Sequence, residues 1–505
     1  MTHTPTKSPA YSLPSRFSAL WICVPSVLGF IGILYHEWWR DEAYTWLVVG
    51  SSGTLRELVT NLGFNGHPRA YYFFAWALRQ LWTNPFALSL SNVAFALAGI
   101  FLFVRSAPVT RFQAALFSLG FYPLYQYGII TRSYSLLILL LFLYCHLRVT
   151  RPNARVARLI VLAVLAQVHL ASMIAAAVLL IFDWLVGARS PRWRAQEWAA
   201  AAVVVVSLAL SAWQMLPDKG APPSYGATDI VTVFNGFANA FVPNYGILNE
   251  GDLVQRLLQL GIGLFLFVGS FAMLWPLHRG LLVYSMLAGG MLAECVFVYS
   301  GYRWHHGLYF IFMVAALWLS AEHPLRGVRA QFLNFVLALQ VIVGLYALGA
   351  DILSPYSDGR LASRFLRERG LDRLPIVGMS VLRVSRDTAE YKWETDQIQP
   401  VLLGLDRTRI FDPVRGSFES FYRHYTEPES LLVMNGLEID RSLQGVAARL
   451  GGPFIVVLMG YKPPNVRLLE KLTDLPRTLD YGERYSLFLC SGFPTTLSKG
   501  TQPEQ

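Results

Sequence analysis

Charge is what this chain has least of: 15% of its 505 residues are Asp, Glu, Lys or Arg, while 54% are hydrophobic and 14% aromatic. Soluble domains carry roughly 25% charged residues, so the deficit excludes an ordinary water-solvated fold and points to lipid as the solvent. Cysteine is scarce as well, with only Cys23, Cys145, Cys295 and Cys490 at isolated positions. That spacing implies neither a disulfide scaffold nor a zinc knuckle, and three of the four lie in apolar runs where a thiol packs as a small hydrophobe. The net charge of +10 is not a nucleic-acid signature, because the arginines sit in short clusters between apolar runs and not on one continuous face.

The apolar runs fill roughly the first 350 positions, and the remainder reads as an ordinary soluble sequence. We therefore expect a transmembrane domain over 1–350 and a soluble α/β domain over 351–505. Helix-length hydropathy windows place about eleven spans, near 17–35, 86–104, 112–128, 133–147, 157–172, 173–187, 199–216, 255–275, 280–299, 306–320 and 331–349. The first is expected to be uncleaved, since no small-residue cleavage pattern follows it. With the N-terminus in the cytoplasm, the inner loops collect Arg105 and Arg111, then Arg148, Arg151, Arg155 and Arg158, then Arg189, Arg192 and Arg194, then Arg279, then Arg326 and Arg329. This is the positive-inside pattern, with a bacterial inner membrane as the expected location, and it holds if the short aromatic segment 70–81 lies at the interface as a juxtamembrane helix. The C-terminal domain is then periplasmic.

On the outer side lies a 217–252 loop rich in Pro, Gly, Asn and aromatics, which should be a lid or hold a second interfacial helix. Its Tyr225, Phe234, Phe237, Phe241 and Tyr245 suit contact with lipid or a sugar ring, or simple anchoring. Beyond Asp351, alternation of a helical 361–369, an apolar 374–377, an apolar 431–434, a helical 439–450, an apolar 454–459, a helical 466–472 and an apolar 485–490 predicts a small three-layer domain with a largely parallel sheet. No G-x-G-x-x-G loop, Walker lysine or metal-ligand cluster occurs there, so its expected role is acceptor recognition or scaffolding.

Chemistry concentrates at the outer helix ends. Asp41 and Glu42, within a few residues of hydrocarbon, need water, a cation or a partner such as Arg40; they also suit the cap of a following helix, with Trp38 and Trp39 as anchors. Gly66-His67-Pro68-Arg69 opens the juxtamembrane segment, Thr131-Arg132-Ser133-Tyr134 opens a later helix, and Gly301-Tyr302-Arg303-Trp304-His305-His306-Gly307 opens another. A divalent cation held by Asp41, Glu42, His67 and His169 is an open alternative, although no diagnostic spacing marks one, and His169 equally suits a hydrogen-bonded packing role.

These motifs, in this order and on one side, resemble the GT-C superfamily of membrane glycosyltransferases, including the protein O-mannosyltransferase and aminoarabinose transferase families. The resemblance covers about the first 350 residues. It implies a sugar donor on a polyprenyl phosphate, an extracytoplasmic site, and inversion at the anomeric carbon. Asp41 matches the acidic residue proposed as general base, and Glu42 is its companion. Arg132 and Arg303 match cationic positions near the donor phosphate. His67, Tyr134, Tyr302, His305 and His306 complete the expected substrate-binding set. The chain departs from many relatives in having Arg69 where a second proline follows His-Pro, and from some in having Gly66 where a carboxylate precedes it. The expected partners are the lipid-linked donor, an acceptor that is glycan, lipid or protein, and membrane lipids, with no nucleic acid. Two alternatives compete: a transporter or flippase, for which Glu294 is the intramembrane carboxylate to weigh, and a scaffold whose α/β domain is a recognition surface.

Overall fold

A computed structural model describes the chain outside residues 1–14, 64–65, 188–192, 217–229, 244–252, 299–300, 385–388, 395, 421–432, 435, 461–467, 476–482 and 492–505. Tyr225 and Tyr245 lie outside the described residues. Two compact units emerge: one from the described parts of Met1–His36, Phe64–Pro217 and Pro222–Leu353, the other from those of Glu37–Gly63 and Ser354–Gln505.

The first unit is helical. Four of its described helices, Phe86–Ser106, Ala195–Gln214, His278–Phe297 and Gly327–Leu353, are long and apolar enough to cross a bilayer, or up to five spans if a helix pair with a short break is counted as one. Tyr134–Thr150, Leu170–Leu185 and Leu260–Leu274 are shorter apolar helices. Ala195–Gln214 buries only 33% of its apolar window and turns Val203, Val205, Val206 and Leu210 outward. Such a face is at equilibrium in hydrocarbon and not in water. The unit is that of an integral membrane protein.

Two of the expected runs are interrupted. The 112–128 segment is an α-helix, Arg111–Ser118, followed by a π-helix, Phe121–Ile129, every residue of which is buried. A π-helix widens the backbone to i→i+5 bonding and is rarely longer than one turn. Here Ile130 N–H reaches Tyr125 O at 3.2 Å, and Asn92 Nδ2 donates to the carbonyls of Tyr127, Gly128 and Ile130 at 3.2, 2.8 and 3.0 Å. One buried amide thus shares its two N–H hydrogens among three carbonyls at the end of the π-helix. The 157–172 segment stops as Arg155–Leu165 and resumes as Leu170–Gly187, leaving His169 in the break. Ala70–Leu81 is a separate twelve-residue helix, and Ile230–Phe241 is a helix within the 217–252 segment, for which a lid or a helix was expected. Gln340 Nε2 donates to Ala240 O and Phe241 O at 3.3 and 2.8 Å, fixing that helix's C-terminal end.

In the second unit the sequence expectation needs two corrections. Strands β1 (Ile376–Val384), β2 (Ala389–Trp393), β5 (Val433–Met434), β6 (Phe454–Met459), β7 (Leu469–Asp474) and β8 (Tyr485–Cys490) form one sheet in the order β5-β2-β1-β6-β8-β7; β3 (Arg409–Asp412) and β4 (Ser417–Ser420) form a separate hairpin. Only β1 and β6 pair in parallel; β1–β2, β2–β5, β6–β8 and β7–β8 are antiparallel, so the sheet is not largely parallel. The expected helix at 466–472 is also overturned: Leu469–Asp474 is an edge strand on β8, bulged between Lys471 and Thr473. Leucines three residues apart read as a helical stripe, but a ladder of hydrogen bonds to a buried neighbour outweighs a helix propensity worth tenths of a kcal/mol per residue. The helix Gly436–Leu450 covers the sheet, burying Ile439, Leu443 and Val446 against Met379, Trp393 and Val456.

Candidate functional site

Helix starts supply the polar groups of the first unit. In the break before Leu170–Gly187, the His169 N–H donates to Ser172 Oγ at 2.8 Å, and the Ala171 N–H donates to His169 Nδ1 at 3.1 Å. An Nδ1 that accepts a backbone N–H has its lone pair engaged, so the ring is neutral with its proton on Nε2. That Nε2 is buried and has no hydrogen-bond partner among the described residues. His305 repeats the arrangement at the start of Arg303–Ser320, where the Tyr302 N–H donates to its Nδ1 at 3.1 Å. The sequence therefore builds two imidazoles by the same device: a turn amide fixes one nitrogen and leaves Nε2–H as a donor.

The two rings lie 5.9 Å apart. Tyr134 packs on both, at 4.8 Å from His169 and 6.1 Å from His305, and His67 lies over His169 at 4.8 Å. Arg132 is within electrostatic reach of His169. Five residues, His67, Arg132, Tyr134, His169 and His305, are thus gathered from four separate helix starts. Behind them the π-helix holds the Arg303–Trp304 turn: Tyr122 Oη shares its one proton between Asn239 O at 2.6 Å and Arg303 O at 3.1 Å, and Tyr127 Oη donates to Trp304 O at 2.6 Å. Tyr302 stacks on Trp304 at 4.8 Å. His306 is wedged against two glycines, since a Cβ at Gly236 or Gly301 would lie 3.1 or 3.2 Å from its ring.

Asp41 and Glu42 belong to the second unit, in the helix Arg40–Gly50. Glu42 is fully buried and its Oε2 accepts the Trp39 N–H at 3.1 Å, the helix-capping role that the sequence allows it. Asp41 is half-exposed, its Oδ1 accepting from Arg40 Nε at 3.3 Å. Arg40 is itself tethered, donating from its backbone N–H to Glu483 Oε1 at 2.8 Å and from Nη1 to Gln397 Oε1 at 2.6 Å. Gln397 Nε2 donates in turn to Glu394 at 3.2 Å. Burial pushes the Glu394 carboxyl up, but donors from Lys392, Ser380 and Gln397 outweigh it and hold the group below the usual range. A chain of hydrogen bonds from the sheet thus ends at Asp41.

The residues present do not fit a metal centre. Among the described residues no group of three or more His, Cys, Asp or Glu is arranged to hold an ion. The His67 and His169 rings are tilted by only 31° over one another, so their in-plane lone pairs do not converge on one point, and Nδ1 of His169 is already committed.

Sequence reading missed one buried constellation. His36 Nδ1 lies 2.7 Å from Asp351 Oδ2, which also accepts Tyr125 Oη at 3.1 Å, with all three side chains buried. The available signal was an imidazole ending the first apolar run and a carboxylate ending the last, each too costly to leave unpaired at that depth. None of the four cysteines is joined in a disulfide.

No family model matches the chain, and no curated protein matches it. Among solved structures, a cryo-EM structure of the arabinofuranosyltransferase AftD from mycobacteria is similar, at 14% identity and a TM-score of 0.37, over 97% of this chain and 41% of that one. The chain thus spans about two fifths of that protein's length. A likeness this distant assigns neither an activity nor a residue role.

Proposed function

We propose that the chain is a membrane glycosyltransferase that moves a sugar from a polyprenyl-phosphate donor to an acceptor at the outer face of the membrane, with inversion. The observation that carries this reading is the gathering of His169 and His305, each with Nδ1 bound to a backbone amide, around Tyr134 with Arg132 in reach. Fixed N–H donors and a guanidinium beside a sugar-sized aromatic suit a phosphate leaving group, whose negative charge grows as the glycosidic bond breaks.

In this reading the acceptor hydroxyl oxygen attacks the anomeric carbon from the face opposite the phosphate. The bond from that carbon to the phosphate oxygen breaks, its electron pair leaves with the polyprenyl phosphate, and the hydroxyl proton passes to Asp41 as general base, with Glu42 holding the helix that presents it. Arg132, Arg303, His305 and His306 stabilise the leaving phosphate, while His67, Tyr134 and Tyr302 contact the substrate. About eleven spans, a cytoplasmic N-terminus and a periplasmic C-terminal domain belong to the same proposal. The test is in vitro transfer from a panel of polyprenyl-phosphate sugars. Asp41→Asn at matched folding should lower turnover by about 100-fold or more, and undiminished turnover removes Asp41 as the base.

A second reading, a transporter, is favoured by Glu294, which is 6% exposed within the candidate span His278–Phe297 and has an Oε2 without a partner among the described residues. Uptake into proteoliposomes that lack any acceptor discriminates the two. No accumulation of any donor sugar counts against transport.

A further inference from the structure

The second unit contains a cleft that neither the transfer reaction nor the comparisons use. It has a volume of about 360 Å³ and is lined by Arg373, Pro375, Arg407, Thr408, Arg409 and Phe418. Two of its three arginines are held in place by neutral groups. Arg407 donates from Nη1 to Leu374 O at 2.8 Å and from Nη2 to Asp372 O, and Arg409 donates from Nη2 to Phe418 O at 2.6 Å. Among the described residues none of the three is ion-paired, whereas the next arginine of the same hairpin, Arg415, lies 3.7 Å from Asp412 and 4.0 Å from Glu419. Carboxylates are therefore at hand in the hairpin but not in the cleft. Three uncompensated guanidinium groups around one opening repel each other, and an anion that enters relieves that repulsion.

The choice of side chain narrows the ligand. Arginine presents a planar fork that matches phosphate or carboxylate with two parallel hydrogen bonds, and carbonyl anchoring removes much of the rotamer freedom it would otherwise lose on binding. Phe418 is 42% exposed on the cleft wall, an aromatic surface against which the C–H face of a sugar ring can lie. The volume is near the lower end of small-molecule sites, enough for about one or two rings. We infer that this cleft binds an acidic saccharide, a sugar carrying a phosphate or carboxylate, independently of the site that holds the transfer chemistry.

The test uses the full chain in neutral phosphatidylcholine nanodiscs, titrated with glucose 6-phosphate, glucuronate and glucose. The inference expects saturable binding of at least one anionic sugar at least tenfold tighter than glucose, weakening as salt rises. Arg407→Gln and, separately, Arg409→Gln should each weaken it tenfold or more. Arg373→Gln, at an exposed position, is the variant to use if those two disturb folding, and it should weaken binding in the same sense. Asp41→Asn should leave binding unchanged, which separates this inference from the transferase reading. Equal binding of glucose, no saturable binding of either acid sugar, or unchanged affinity in all the arginine variants overturns it. So does capture of phosphatidylglycerol vesicles with no binding of soluble sugars, which assigns the arginines to a lipid headgroup.

Discussion

Replacing Asp358 with Asn should flatten the pH dependence of the C-terminal fold. Asp358 is fully buried in the folded second unit. Burial raises its pKa from 3.8 to about 7, with the Tyr485 backbone and Arg484 pulling it back and Glu37 adding to the rise. A raised folded pKa means that between those two values the folded state holds a proton the unfolded state has released. The stability contributed is complete below the unfolded value and is lost as pH rises through the folded one. At about 1.4 kcal/mol per unit, the loss between pH 5 and pH 8 is about 2–3 kcal/mol as a ceiling. Asn cannot ionise, so the variant lacks this slope and gains most at pH 8. Because the residue lies in one of two compact units, the readout is one local to that unit, hydrogen exchange of the β6 and β8 amides, corrected for its intrinsic pH dependence. Parallel pH profiles for wild type and Asp358→Asn would refute the reasoning.

Other substitutions test the packing and the polar anchors. An alanine Cβ at Gly307 would lie 2.0 Å from Tyr122 Cε1, and that ring is held by its hydroxyl, so Gly307→Ala should cost about 1–3 kcal/mol or more and lower the thermal midpoint in detergent. Gly261→Ala, with nothing within 4 Å, is the control and should leave the midpoint unchanged or slightly raised. Asp183→Ala should be among the most damaging changes in the first unit, by about 3–5 kcal/mol in the same midpoint assay, because it strands the buried Arg158 that it contacts at 3.2 Å. Gln397→Ala should release Arg40 and speed exchange of the first-turn amides of Arg40–Gly50, while β6 stays protected.

The apolar runs were legible because a helix in lipid must be almost uniformly apolar, and the segment 70–81 because it is too short to span; it forms Ala70–Leu81. The strand 454–459 was legible for a similar reason, being one unbroken buried run. Partner choice was not. Nothing in the local pattern of 485–490 says that β8 runs antiparallel to β6 with β7 on its far side, since pairing direction is set by how the chain returns. The hairpin β3–β4 was missed because its polar, exposed outer strand lacks a hydrophobic period. For the site, the sequence exposed helix starts rich in Arg, His and Tyr, and the structure brings His67, Tyr134, His169 and His305 together. It could not show that Ala171 and Tyr302 amides select the imidazole tautomers, because those bonds depend on backbone geometry in two turns. Nor could it show that His36 meets Asp351, which lies 315 positions away.

The π-helix changes which substitutions act together. Tyr122 and Tyr127 are five positions apart, would point in well-separated directions from an α-helix, and instead stack at 5.3 Å. A double-mutant cycle on this pair should return a coupling energy of about 0.5–1.5 kcal/mol. Deleting one residue of Phe121–Ile129 would restore ordinary winding and swing one tyrosine off the Arg303–Trp304 turn. In that stretch, loss of a residue should therefore be tolerated far less well than replacement of most of its side chains.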